Sequence, residues 1–196
     1  MANGIKIGNL DISAFKVGSD DCKVYLGDTL LYPSTPPTPT FKWLATYSDS
    51  SVTSAECDGS SEIERYEIES NNLVSVEIGD CVTSIGERAF FICSSLESID
   101  IPDSVTTIGN RAFSNCFSIT SVTIGSGITY ISDGAFYSCS SLSSITIEAT
   151  TPPTLDAGVF DGSSCPIYVP AESVDAYKAR SGWYQYKSRI QAIPNS

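Results

Sequence analysis

LESIDIPDSVTTIGNRAFSNCFS, residues 96–118, decides the fold, because the chain repeats this pattern. Leu73, Leu96, Ile119 and Leu142 are spaced 23 residues apart. The same interval separates Val76, Ile99, Val122 and Ile145, and again Ile78, Ile101, Ile124 and Ile147. Later in the unit come Ile85, Ile108 and Ile131, then Ala89, Ala112 and Ala135, then Phe90, Phe113 and Phe136. Cys93, Cys116 and Cys139 close the unit. A fixed period in this range marks a solenoid: one unit cannot bury its apolar face alone, so neighbours stack into a continuous core.

Each unit reads L-x-x-I-x-I, then V-x-x-I-G, then A-F-x-x-C. The first block alternates as a short strand with one apolar side and outward positions between. Stacking turns those positions into columns. One holds Ser75, Ser98, Ser121 and Ser144; the next holds Glu77, Asp100, Thr123 and Thr146. The A-F-x-x-C block is too short for a free helix, but its Phe can plug the core from a single helical or 3₁₀ turn. The fold class expected is a mainly β solenoid, a leucine-rich repeat array with capping segments.

The unit at residues 96–118 resembles the BspA-like leucine-rich repeats of bacterial surface proteins. The resemblance runs from Leu73 to about Ile193, since IYVPAESVDAYKARSGWYQYKSRIQAI looks like the usual end of such arrays. It implies an elongated, non-enzymatic binding or adhesion module. The fourth unit departs from the pattern. Thr151-Pro152-Pro153-Thr154 replaces V-x-x-I-G, and Phe160 comes one residue late. That leaves open whether the unit stacks or already belongs to the cap.

Composition narrows the chemistry. The chain has 196 residues, a net charge of −12 and an isoelectric point near 4.2, which argues against nucleic acid or an anionic membrane as partner. It has no histidine, the commonest general base and zinc ligand. No apolar run approaches the ~20 residues of a membrane helix, so no membrane insertion is expected.

Residues 1–32 form a first block of short β segments around three turns at residues 6–9, 16–19 and 25–28. Ile5 and Ile7, then Phe15 and Val17, alternate as hairpin strands do; Val24 and Leu26 continue the pattern. Some thirty residues bury too little surface to stand alone, so these six apolar residues are candidate anchor contacts to a partner. KVYLGDTLLYP resembles the short amino-terminal segments of virion proteins in Bacteroides-type phages. Residues 33–40 are a proline-rich spacer biased to extended polyproline II.

Residues 41–72 are expected to cap the front of the array, with a strand from Phe41 to Tyr47 turned by Ser48 to Ser51. Ile63-x-x-Tyr66-x-Ile68 reads there as the strand signature. Residues 73–164 are the repeats and 165–196 the rear cap. The rear cap has a strand near Cys165 to Pro170 and a short helix from Glu172 to Arg180, stopped near Gly182. Trp183, Tyr184 and Tyr186 are available to cover the last repeat.

No residue set has the pattern of a catalytic, cofactor or metal site. Stacked repeats put Cys93, Cys116 and Cys139 in a line at strand spacing, ~4.8 Å. A line does not suit tetrahedral zinc, and no CxxC pair or histidine completes it. Buried, reduced thiols are the expectation. Seven cysteines with no recognisable export signal argue against a disulfide framework. Ser13-Ala14-Phe15-Lys16 matches S-x-x-K but alternates like a strand. Gly125-Ser126-Gly127 is a lone G-x-G in a repeat turn, where glycine would allow unusual backbone angles. Asp20-Asp21 reads as solvated loop charge, and no D-x-D-x-D loop favours calcium.

The functional expectation is a non-enzymatic phage virion protein, of capsid or tail. Residues 1–32 would bind other virion subunits, and the repeats would project toward a host-surface protein or glycan. The chain would be a homo-oligomer in the assembly, formed in the host cytoplasm. The alternative is a bacterial cell-surface adhesin or interaction module. In either case the Ser75-to-Ser144 and Glu77-to-Thr146 columns are the candidate binding surface.

Overall fold

Registers one repeat apart define the architecture. In the computed structural model the described residues are 41–57, 61–65, 67–68 and 72–194, preceded by short strands at Ile5–Ile7, Leu10–Ile12, Tyr25–Leu26 and Thr29–Leu30. The chain divides into two compact units, Met1–Pro39 and Thr40–Ser196. In the first, Ile7 faces Leu10 and Leu26 faces Thr29 in two antiparallel pairs. Of the proposed anchor residues, Ile5, Ile7 and Leu26 lie in these strands. Phe15, Val17, Val24, the turn at residues 16–19 and the S-x-x-K string lie outside the described residues.

In the second unit the repeats build two parallel sheets, each later repeat giving one strand to each, while the long strand of the first, Leu73–Ile78, pairs antiparallel with Phe41–Tyr47. The first sheet orders Ser98–Ile101, Ser121–Ile124, Ser144–Ile147, Ile167–Val169 and Ile190–Ala192. Ser98 faces Ser121 and Ser121 faces Ser144, so equivalent residues stack. The second sheet stacks the two-residue strands Glu62–Ile63, Ser84–Ile85, Thr107–Ile108, Tyr130–Ile131 and Thr154–Leu155. A period-2 alternation in one block and a single buried Ile in the other put every repeated aliphatic residue between the sheets, where it is buried.

The A-F-x-x-C blocks form turns, and their phenylalanines make a spine. Phe90, Phe113 and Phe136 stack at centroid distances of 4.9 and 5.1 Å with interplanar angles of 4° and 3°. Each such turn uses two left-handed residues. One column is Arg88, Arg111, Gly134 and Gly158, with φ of 55°, 53°, 60° and 62°. The other is Ile92, Asn115, Ser138 and Gly162, with φ of 62°, 63°, 58° and 88°.

The fourth unit stacks. Thr154 and Leu155 pair with Tyr130 and Ile131, and Phe160 lies 5.8 Å from Phe136. Ile147 stays in register with Ile124, so the departure is one extra residue before Thr154, taken up where Thr151-Pro152-Pro153 crosses between the sheets. The rear cap closes on that spine. Trp183 and Tyr186 sit 6.0 and 5.4 Å from Phe160, and Trp183 Nε1 donates to the Pro153 carbonyl at 2.8 Å. Its helix is Val174–Ala179, entered through a 3₁₀ turn at Ala171–Ser173. Tyr184 stays 64% exposed and covers nothing, and a further strand at Ile190–Ala192 was not anticipated.

The front cap differs from expectation in two ways. Ile63 pairs with Ile85 in the two-residue sheet, so Ile63-x-x-Tyr66-x-Ile68 is not a copy of the long strand. The strand that meets the first repeat is Phe41–Tyr47, antiparallel to both Val52–Glu56 and Leu73–Ile78. The second difference is covalent: Cys57 and Cys81 form a disulfide. The expectation against disulfides fails because both partners lie outside the repeat columns, where periodicity says nothing about proximity.

Candidate functional site

The outward columns lie where alternation places them. Ser75, Glu77, Ser98 and Asp100 are exposed; Ser121, Thr123, Ser144 and Thr146 are half-buried. The face continues beyond them. Thr46 pairs with Ser75 and Leu44 with Glu77, while Val52 and Ser54 pair with Thr46 and Leu44 in turn. Directly opposite residues share a face, so the front-cap strands extend the repeat face. At the other end Tyr168 and Gln191 follow Thr146. Glu97 N donates to Val74 O at 3.4 Å where the antiparallel and parallel portions meet.

Two groups of hydroxyls behave differently. Thr106 and Thr129 donate to the carbonyls of Thr83 and Thr106, and Thr120 and Ser143 to those of Glu97 and Thr120, at 2.8–3.1 Å. Those groups hold repeat to repeat. The eight column residues make no side-chain hydrogen bond or ion pair with any described residue.

Over the first strands the face hollows into a groove of about 610 Å³. Ser75, Glu77, Ser98, Asp100 and Thr123 line it; Ser121, Ser144 and Thr146 lie further along and do not. Three carboxylates missed in the sequence join them: Asp80, Asp103 and Glu148. Asp80 and Asp103 are 23 residues apart, and Glu148 is the one acid in the column Gly79, Pro102, Gly125, so both signals stood in the repeat alignment. Among the described residues no basic side chain lines the groove. Asp103 Oδ1 accepts from Ser126 N at 2.6 Å and Ser126 Oγ at 2.9 Å, which holds its carboxyl below the usual aspartate range. Gly125 and Gly127 have no left-handed backbone. They are small because Asp103 crowds them: a Cβ on Gly125 would lie 2.6 Å from Asp103 N, and one on Gly127 would meet Asp103 O.

Two other polar groupings are internally satisfied. A hollow of about 460 Å³ on the front cap includes Trp43, Tyr47 and Glu67. A β-bulge turns Lys42 inward, where it is 3% exposed; its Nζ lies 2.9 Å from Glu67 Oε1, which also accepts from Trp43 Nε1 at 2.9 Å. Partial burial raises the Glu67 pKa, but hydrogen bonds from Lys42, the Glu64 N–H and Trp43 outweigh it and hold the carboxyl below the usual glutamate range. On the two-residue sheet Tyr130 donates to Asp156, which pushes the phenol up. The thiol column donates to carbonyls and is buried. Among the described residues no group of three or more His, Cys, Asp or Glu could hold a metal ion.

Two stacked parallel sheets with a 23-residue register, an aromatic spine and unlike caps define a β solenoid of the leucine-rich repeat class. The family of the BspA type leucine rich repeat region matches residues 61–171 in six copies, and the chain belongs to it. The copies reach past the four units of the sequence reading on both sides, as Glu62–Ile63 and Ile167–Val169 do in the sheets. A leucine-rich repeat protein of known structure from Bacteroides capillosus is 26% identical, with 68% of this chain and 96% of that chain covered and a TM-score of 0.41. Another, from Bacteroides ovatus, is 24% identical over 59% of this chain and 31% of that one, with a TM-score of 0.40. A leucine rich cell surface protein from Faecalibacterium prausnitzii is 24% identical over 76% of this chain and 45% of that one, with a TM-score of 0.34. No curated protein matches.

Proposed function

We propose that this chain is a non-catalytic binding module whose repeat face takes a cationic segment of a partner protein at a cell or particle surface. The observation that carries this is the contrast among hydroxyls: one set holds the repeats together, while the columns of the outward face are left uncommitted beside five groove carboxylates with no basic neighbour. Unpaired acids in a concave site attract a complementary charge. The Cys57–Cys81 disulfide favours display in an oxidising environment. The free thiols do not oppose that, because burial makes them inert.

A lysine- and arginine-rich peptide, titrated calorimetrically into the full chain, tests the reading. Binding should weaken with added salt. E77Q and D100N together should reduce affinity by about tenfold, in line with loss of two charge-assisted contacts. Equal affinity for wild type and variant, or preference for a neutral oligosaccharide, would remove the charge argument.

A second reading concerns residues 1–39. Two minimal hairpins in a separate compact unit support an anchoring role by strand addition to another subunit, as in a virion. A fusion of residues 1–40 to an unrelated domain should then enter purified particles, while residues 41–196 should not. The reverse result ends that reading.

A further inference from the structure

The outward face ends at Val52–Glu56. This strand is the outer member of the front-cap sheet, paired on one edge with Phe41–Tyr47 and on the other with no described strand. Val52, Thr53, Ser54 and Glu56 are exposed, Val52 by 56%. An open edge presents a row of unpaired N–H and C=O groups, and proteins usually blunt one with lysine, proline, a bulge or a cover. Val-Thr-Ser-Ala-Glu contains neither lysine nor proline. The irregularity in its pairing falls on the inner partner, between Phe41 and Trp43.

The opposite end of the array is different. Its last strand, Ile190–Ala192, has three residues. Pro194, just beyond it, has no N–H to offer. The front edge therefore offers five residues to a partner strand and the rear edge three, followed by a proline. Front-to-rear contacts would propagate a filament, whereas an edge that pairs with its own image closes as a pair.

We propose that two copies of this chain join edge to edge through Val52–Glu56, antiparallel about a two-fold axis at Ser54. In that register Ser54 faces Ser54, Thr53 faces Ala55, and Val52 faces Glu56, so no carboxylate opposes another. The strand satisfies its own edge with its own image. The disulfide from Cys57 to Cys81 holds the end of this strand to the segment after the first repeat strand, which keeps the template in place. The repeat faces of both copies then run into one continuous sheet and present two grooves to one target, a gain in avidity without any new contact to that target. This inference stands whatever the groove binds.

Sedimentation velocity on the full chain across a dilution series tests it. Wild type should show a reversible monomer–dimer equilibrium. S54K and S54E each place like charges across the axis and should raise the dimer dissociation constant by roughly fivefold or more. Because Ser54 is exposed, both variants should keep the wild-type circular dichroism spectrum. An equimolar mixture of S54K and S54E should restore association, as a heterodimer. A wild type that stays monomeric at every concentration overturns the proposal, whether its edge is bare or covered by its own residues 1–39. So does an S54K dimer as tight as wild type, or a mixture that shows no rescue.

Discussion

The Cys116 thiol donates to the Phe90 carbonyl at 3.1 Å, and Cys139 repeats the contact to Phe113 one turn later at 3.2 Å. The column is therefore a set of hydrogen-bonded donors inside the core rather than a row of nucleophiles. Hydrogen bonding with Cys93, burial and the adjacent thiols push Cys116 well above the usual thiol range. Burial pushes Cys139 up to about 12. Since the thiolate is the reactive form, Cys93, Cys116, Cys139 and Cys165 should not react with a thiol reagent in the native state and should react at once after denaturation. A Cys22→Ser background keeps the count clean. The pH dependence follows from the upward shift. A group held neutral by folding stabilises fully below its unfolded pKa, near 9, and that stability is lost as pH rises toward the folded value. Alkaline unfolding should begin above about pH 9, and native-state labelling at neutral pH would contradict this.

Phe113 stacks between Phe90 and Phe136 and is fully buried. Phe113→Ala opens a hole inside the spine that two rigid rings cannot fill, and should cost ~3–5 kcal/mol in denaturant unfolding. A loss below ~1 kcal/mol would mean the ring is not part of the core.

Translational symmetry made the repeats legible. Once Ile99 and Val122 occupy one column, their neighbours and their faces follow, so Ser98 and Asp100 could be placed outward from spacing alone. The same logic misled at Ile63, where a similar local pattern sits in the other sheet, because a two-residue strand carries too little alternation to be told from a longer one. The caps were opaque for a related reason. Lys42 and Glu67, or Cys57 and Cys81, are brought together by a bulge and an antiparallel return that no column records. Glu148 was legible in principle, as the odd residue in a column of Gly and Pro, but periodicity marks what repeats and passes over a residue that breaks the column.

Ile92 is such an exception. It holds φ of 62° and is 47% exposed in a column whose next members are Asn115, Ser138 and Gly162. A β-branched residue is poorly suited to the left-handed region, whereas Asn tolerates it. Ile92→Asn should stabilise the chain by about 1 kcal/mol and remove an exposed apolar side chain. The measurement is the denaturation midpoint, and a decrease would show that Ile92 has a packing role its exposure conceals.

The disulfide acts on one end only. Cys57 follows the edge strand Val52–Glu56, and Cys81 lies three residues beyond the first repeat strand, Leu73–Ile78. Closing a loop of sequence separation 24 restricts the unfolded chain and should contribute about 3 kcal/mol. Its loss should be felt locally, because a solenoid is stabilised by nearest-neighbour contacts and its units can open from an end. Substitution of both Cys57 and Cys81 by Ser should therefore speed amide exchange across Phe41–Tyr47 and Val52–Glu56. Exchange at Ser121–Ile124 should stay near wild type. Reducing agent should reproduce the pattern in wild type and leave the double variant unchanged, since the four thiols of the repeats are already reduced. Uniform acceleration along the whole array would show instead that the cap and repeats open as one unit.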